Sequence, residues 1–162
     1  MKFFETSKYY SLKKSTYITL RWIAIIGQLI SVNLVYFYFD FKFDFKSCNL
    51  VIFFGILSNI YLINVYKKTQ ISDRSALIFL LIDILQLAIL IYLTGGILNP
   101  FIIFLIIPSI FASSNLGLRT NLFLITTTIL TIIFLTFFSK DLPEPLNYHF
   151  HVSPYYIFNV LF

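Results

Sequence analysis

Apolar residues fall into five blocks of about twenty, each long enough to cross about 30 Å of hydrocarbon at about 1.5 Å per residue. The blocks run Leu20–Phe39, Cys48–Tyr66, Ser75–Thr94, Pro100–Leu118 and Thr120–Ser139. A sixth apolar pattern opens at Pro154 with Tyr155, Tyr156, Ile157 and Phe158, and residues 154–162 are too few to span a bilayer. Between the third and fourth blocks stands Gly95-Gly96-Ile97-Leu98-Asn99-Pro100-Phe101. Glycine suits the position just past a helix C-terminus, while Asn and Pro suit the N-cap and first helical position. The segment therefore stops one membrane helix and starts the next.

The pattern predicts an all-α integral membrane fold with one polytopic domain over residues 1–162. It consists of a polar cytoplasmic segment 1–19, five complete helices and the start of a truncated sixth. Composition agrees: the chain is 59% hydrophobic and 12% charged, where a soluble domain carries about a quarter charged residues. Mean hydropathy is +0.86. Aromatics reach 20%, as suits lipid-facing surfaces and interfacial belts. The pI of 9.3 comes from loop lysines and not from a basic helix face, so nucleic acid is not an expected partner. The segment ahead of the first block is too polar for a cleaved signal peptide.

The bias of Lys and Arg toward cytoplasmic loops sets orientation. With the N-terminus inside, the cytoplasmic side collects Lys2, Lys8, Lys13, Lys14, Arg21, Lys67, Lys68, Arg74 and Arg119, against Lys42, Lys46 and Lys140 outside. The outer loops then hold Asp40, Asp44, Asp141 and Glu144. This topology puts the Gly-Gly turn on the outer face.

Chemistry-bearing residues are few. Asp83 is the acid expected within a span, with Gln86 on the same helix face. A charged group at helix centre costs about 2.5–3.5 kcal/mol on insertion scales, so it should face the bundle and have a partner. Asp83 reads either as a proton or ligand site or as a buried interhelical hydrogen bond to Gln28, Ser31, Asn59 or Asn64; protonated, it would act as a donor. Cys48 has no partner for a disulfide and fits as a small packing residue. His149 and His151 lie in a proline-bearing loop, outside any span, and two ligands do not make a metal site. No metal cluster, catalytic constellation or phosphate-cradling loop is expected, and the chain carries no catalytic core.

Caps alone account for every residue of the turn except Phe101. The heptapeptide Gly95-Gly96-Ile97-Leu98-Asn99-Pro100-Phe101 nevertheless resembles the GGxxNPF motif of the membrane sensor domain of RegB/PrrB-type redox-responsive histidine kinases. There it occupies the short outer turn between the third and fourth of six transmembrane helices. The runs Asp83-Ile84-Leu85-Gln86-Leu87 and Tyr92-Leu93-Thr94 are similar to that family's third helix, and Leu20-Arg21-Trp22-Ile23-Ala24 with Gly27-Gln28 to its first.

The resemblance implies ubiquinone binding by Gly95, Gly96, Asn99, Pro100 and Phe101. It also implies a homodimer and a kinase whose activity follows quinone redox state and reaches a cytoplasmic response regulator. Asp83 and Gln86 would be relay residues. A quinone has two carbonyl acceptors on a flat ring; the Asn99 amide and the free amides opening the fourth helix would donate to them, and Phe101 would stack. The family's dimerisation helices, phosphoacceptor histidine, ATP-binding domain and redox-active cysteine have no counterpart in the chain, which reads as a fragment ending before the kinase domain. Two other functions compete: a small transporter or channel subunit coupled through Asp83, and an accessory subunit of a quinone-linked respiratory complex.

Overall fold

The structure, a computed structural model, describes residues 12–65 and 70–145. The end of the second expected span at Tyr66, the start of the sixth span, His149 and His151 lie outside the described residues. Helix α1 runs Lys14–Phe37, α2 Phe45–Val65 and α3 Asp73–Leu93. Two 3-10 stretches follow, Gly96–Leu98 and Pro100–Ile106, then α4 Ile107–Asn115 and α5 Leu118–Phe137. Among the described residues α1, α2, α3 and α5 are long and apolar enough to cross a membrane.

The helical expectation holds, with small additions at the helix ends. Strand β1, Leu12–Lys13, pairs antiparallel with β3, Gln70–Ile71. Strand β2, Phe41–Lys42, pairs likewise with β4, Glu144–Pro145. Each pairing closes one end of the bundle. The Gly-Gly turn shares its end with β2 and β4, since the Lys140 amide donates to the Tyr92 carbonyl at 3.0 Å. Helix α1 opens at Lys14, earlier than Leu20, and the Lys14 ammonium donates to the Ile63 carbonyl at 2.9 Å. That contact ties the start of α1 to the last described turn of α2.

The fourth span departs from a continuous helix over Pro100–Leu118. It is a 3-10 stretch that becomes α-helical at Ile107 and ends at Asn115. Pro108 lies at the junction, and its ring supplies no amide donor for the Phe104 carbonyl, which accepts from the Ile107 amide in the 3-10 pattern instead. The 3-10 rise of about 2.0 Å per residue stretches these sixteen or so residues to about 27 Å, close to the hydrocarbon thickness.

The turn after it sits at Leu116–Gly117 and not near Arg119. Asp73, in the first turn of α3, accepts there from the Gly117 amide at 3.1 Å and from the Thr120 hydroxyl at 3.3 Å. One carboxylate thus serves the N-termini of both α3 and α5, where helix dipoles favour negative charge. A Cβ on Gly117 would come within 2.8 Å of that carboxylate.

Helix α3 is the centre of the bundle. Half of its apolar window is buried, against 11% for α1. Ala76, Phe79, Leu80, Ile84, Ala88 and Ile91 pack with Leu62, Leu105, Ala112, Leu124 and Leu135 in the main core. A second cluster, built from Ile25, Cys48, Ile52, Leu90 and Leu93, joins α1, α2 and α3 toward the turn. Cys48 is fully buried there, in the packing role its sequence context suggests.

Candidate functional site

The turn from Thr94 to Phe101 is built as its residues require. Gly95 and Gly96 both take positive φ, 113° and 57°, a region open to glycine at no steric cost. Both are also crowded. A Cβ on Gly95 would lie 3.0 Å from Leu142 Cα, and one on Gly96 would overlap Ser139 and lie 2.9 Å from the Leu135 carbonyl. The glycines therefore admit the chain leaving α5, a close approach invisible from local sequence.

Asn99 is the clasp of the turn. Its amide nitrogen donates to Thr94 Oγ1 at 2.6 Å and to the Thr94 carbonyl at 3.2 Å, while its Oδ1 accepts from the Phe101 amide at 2.9 Å. Thr94 Oγ1 donates in turn to the Leu90 carbonyl at 2.7 Å. The Ile102 amide donates to the Asn99 carbonyl at 3.0 Å. In this arrangement the Asn99 donors and the first amides after Pro100 are committed within the turn rather than offered outward. Pro100 and Phe101 are exposed. Phe101 stacks on Phe104 with centroids 5.7 Å apart, presenting an aromatic surface beside a rigid turn. A cleft of about 330 Å³ between Phe43, Asp44, Leu93 and Ser139–Asp141 flanks the same end.

Asp83 and Gln86 lie one turn apart on α3 and face the bundle as expected, here toward α1 and, for Asp83, with other partners. Arg21 Nη2 lies 2.8 Å from Asp83 Oδ1, its Nε donates to the same oxygen at 2.9 Å, and the Tyr17 hydroxyl donates to Oδ2 at 2.5 Å. Asp83 thus meets Arg21 and Tyr17 of α1; among the described residues Gln28, Ser31, Asn59 and Asn64 are not its partners. Gln28 bonds instead to Gln86, whose amide donates to it at 2.9 Å. Gly55 makes room for that amide, since a Cβ there would come within 2.6 Å of the Gln86 carboxamide carbon.

Arg21 was expected on the cytoplasmic side, yet it is 4% exposed and inside α1. The guanidinium also donates to Ser58 Oγ at 3.0 Å and lies over the rings of Tyr17 and Phe79, 5.6 and 5.8 Å from their centroids. Composition treats every arginine as a loop charge; the signal that could have flagged this one was its neighbourhood, since Arg21 is followed by an apolar run. Among the described residues no group of His, Cys, Asp and Glu is arranged to hold a metal ion.

Most of the chain matches a described family. The model of the PilS-like transmembrane domain, a six-helix membrane domain, matches residues 13–162. The chain belongs to this family. It is also 29% identical over 128 residues to the sensor histidine kinase RegB of Cereibacter sphaeroides, an overlap of 78% of this chain and 28% of that protein. The chain thus spans under a third of the length of that curated relative. No solved structure matches it. Family and relative together support a transmembrane sensor domain of the RegB/PrrB type, in a multi-pass protein of the bacterial inner membrane.

Proposed function

We propose that this PilS-like domain senses the redox state of the quinone pool through the Gly95–Phe101 turn and passes the signal to a histidine kinase region and its response regulator. The observation that carries the reading is the Phe101–Phe104 aromatic pair, exposed at the surface and held beside a turn locked by Asn99. A flat ring stacks on such a surface. Gly95, Gly96 and Pro100 then shape the turn, Asn99 holds it, and Phe101 meets the ring. A carbonyl of the bound quinone would gain an Asn99 hydrogen bond by displacing Thr94, so ligand binding would loosen the end of α3. Quinone and quinol differ in donors and acceptors, and unequal binding is what a redox switch needs.

Helix α3 supports the relay assignment. It carries the turn at one end and, about 16 Å away along its axis, the Asp83 pair with Arg21 of α1. The proposed topology has N-terminus and β1 inside and the turn outside, and the protein acts as a homodimer. The transporter reading gains a broken fourth helix and a buried arginine, but the overlap with a sensor kinase favours signalling.

The test is autophosphorylation of the kinase-bearing protein in proteoliposomes with oxidised quinone, quinol or neither. Three different rates are expected, collapsing toward one in Phe101→Ala. Equal rates with quinone binding confirmed separately would reduce the turn to a helix connector.

A further inference from the structure

One buried donor is left without a partner in the ionic cluster. Arg21 Nη1 makes no hydrogen bond, although Nε and Nη2 are both used. An unpaired donor buried within a membrane bundle costs several kcal/mol. The atoms around it are already balanced in charge, because Asp83 neutralises the guanidinium. What the site lacks is therefore a neutral acceptor and not an anion.

A groove adjoins the guanidinium through two of its neighbours. It encloses about 520 Å³ between α2 and α3 and is lined by Phe54, Leu57, Ser58, Tyr61, Ile78 and Phe79, among others. Its volume is in the range of small-molecule sites. Two of its walls touch the guanidinium: Ser58 accepts from Nη2, and Phe79 lies beneath the cation. Phe54, Leu57, Tyr61 and Ile78 are exposed at its mouth. The groove is apolar at its mouth and polar at its floor.

We infer that this α2–α3 groove binds an uncharged, lipid-soluble molecule whose carbonyl oxygen accepts from Arg21 Nη1 while its apolar part lies between Leu57 and Ile78. The inference stands independently of the turn, which is at the other end of α3. The shared chemistry is a carbonyl on an apolar body, supplied either by a free compound such as a quinone or by the ester of a bilayer lipid.

Trp22, the single tryptophan, adjoins Arg21 and reports the site. The chain is placed in nanodiscs of ether-linked lipid, which carries no carbonyls, and titrated with a fully substituted short-chain benzoquinone. Trp22 quenching should saturate, whereas an alkyl bromide of similar length should quench in proportion to its concentration. Filling the groove with Ile78→Phe and Ile82→Phe, which leaves the Arg21–Asp83 pair in place, should raise the apparent dissociation constant about tenfold or more. Phe101→Ala should leave it unchanged. In ester-linked lipid, a weaker apparent affinity identifies the bilayer ester as the resident occupant, and an equal one identifies a free carbonyl compound; both support the site. Proportional quenching by the quinone in the wild-type chain would overturn it, and the wild-type titration decides even if the filled variant fails to fold. Saturation lost in Phe101→Ala but kept in the filled variant would also overturn it, by assigning the binding to the turn.

Discussion

The Arg21–Asp83 pair should show a strongly asymmetric double-mutant cycle. At 2.8 Å and an effective dielectric of about 20, the gross attraction is about 6 kcal/mol. Desolvating two ions costs several kcal/mol each, so the net worth of the intact pair is small. Breaking it is different, because the survivor is buried and uncompensated. Asp83→Asn keeps the shape and the Tyr17 contact but strands a guanidinium that cannot shed its proton. That change should cost about 3–5 kcal/mol. Arg21→Met strands a carboxylate, which can become neutral by taking up a proton and keep its Tyr17 partner, so about 1–3 kcal/mol is expected. The double variant Arg21→Met with Asp83→Leu should recover most of the larger loss, as apolar replacements of buried pairs often do. Reversible unfolding in mixed micelles, followed by Trp22 fluorescence, measures all four corners. Single variants each within about 0.5 kcal/mol of wild type, or costs that simply add in the double variant, would refute the argument that a buried, mutually dependent pair holds α1 to α3.

Asn99→Ala removes three hydrogen bonds from the turn and should lower stability by about 1–3 kcal/mol even without ligand, read in the same unfolding assay; an effect visible only with quinone present would make Asn99 a ligand contact and not a clasp. At the turn end, hydrogen bonds from Ser47 and then Lys140 hold the Asp44 carboxyl below the usual carboxylate range. A lowered folded-state pKa means the contribution is present above the unfolded value of 3.8 and disappears as pH falls through the folded one, so the stability gap between wild type and Asp44→Asn should close in acid below about pH 4. A gap that widens in acid would reverse the sign. For orientation, a membrane-impermeant thiol reagent applied outside cells should label Asp141→Cys and spare Ser72→Cys, with buried Cys48 silent in both; the opposite pattern would invert the topology.

Length, apolar blocks and turn chemistry were legible in the sequence, because each is local. The helix stop at Gly95 and the helix start at Asn99-Pro100 follow from backbone φ and capping, and the structure places them as those rules require. The Asp83–Gln86 face was legible too, since helical spacing alone puts both toward the bundle. Partner choice was not. Arg21 counted only as one cytoplasmic-side charge at the head of the first block until tertiary packing brought α1 beside α3 and set the guanidinium on Asp83, a match made across more than sixty residues. The same holds for the glycines: local sequence accounts for the positive φ at Gly95 and Gly96, while only the return of α5 explains why a Cβ at Gly96 has no room, and only Asp73 of α3 why one at Gly117 has none. The fourth span shows the limit most directly. Its apolar count promised an ordinary helix, and Pro108 with a shortage of residues stretched it into 3-10 geometry. Hydropathy reports how much of a chain prefers lipid; which polar groups must meet inside is decided only when the helices pack and every buried charge has to find its complement.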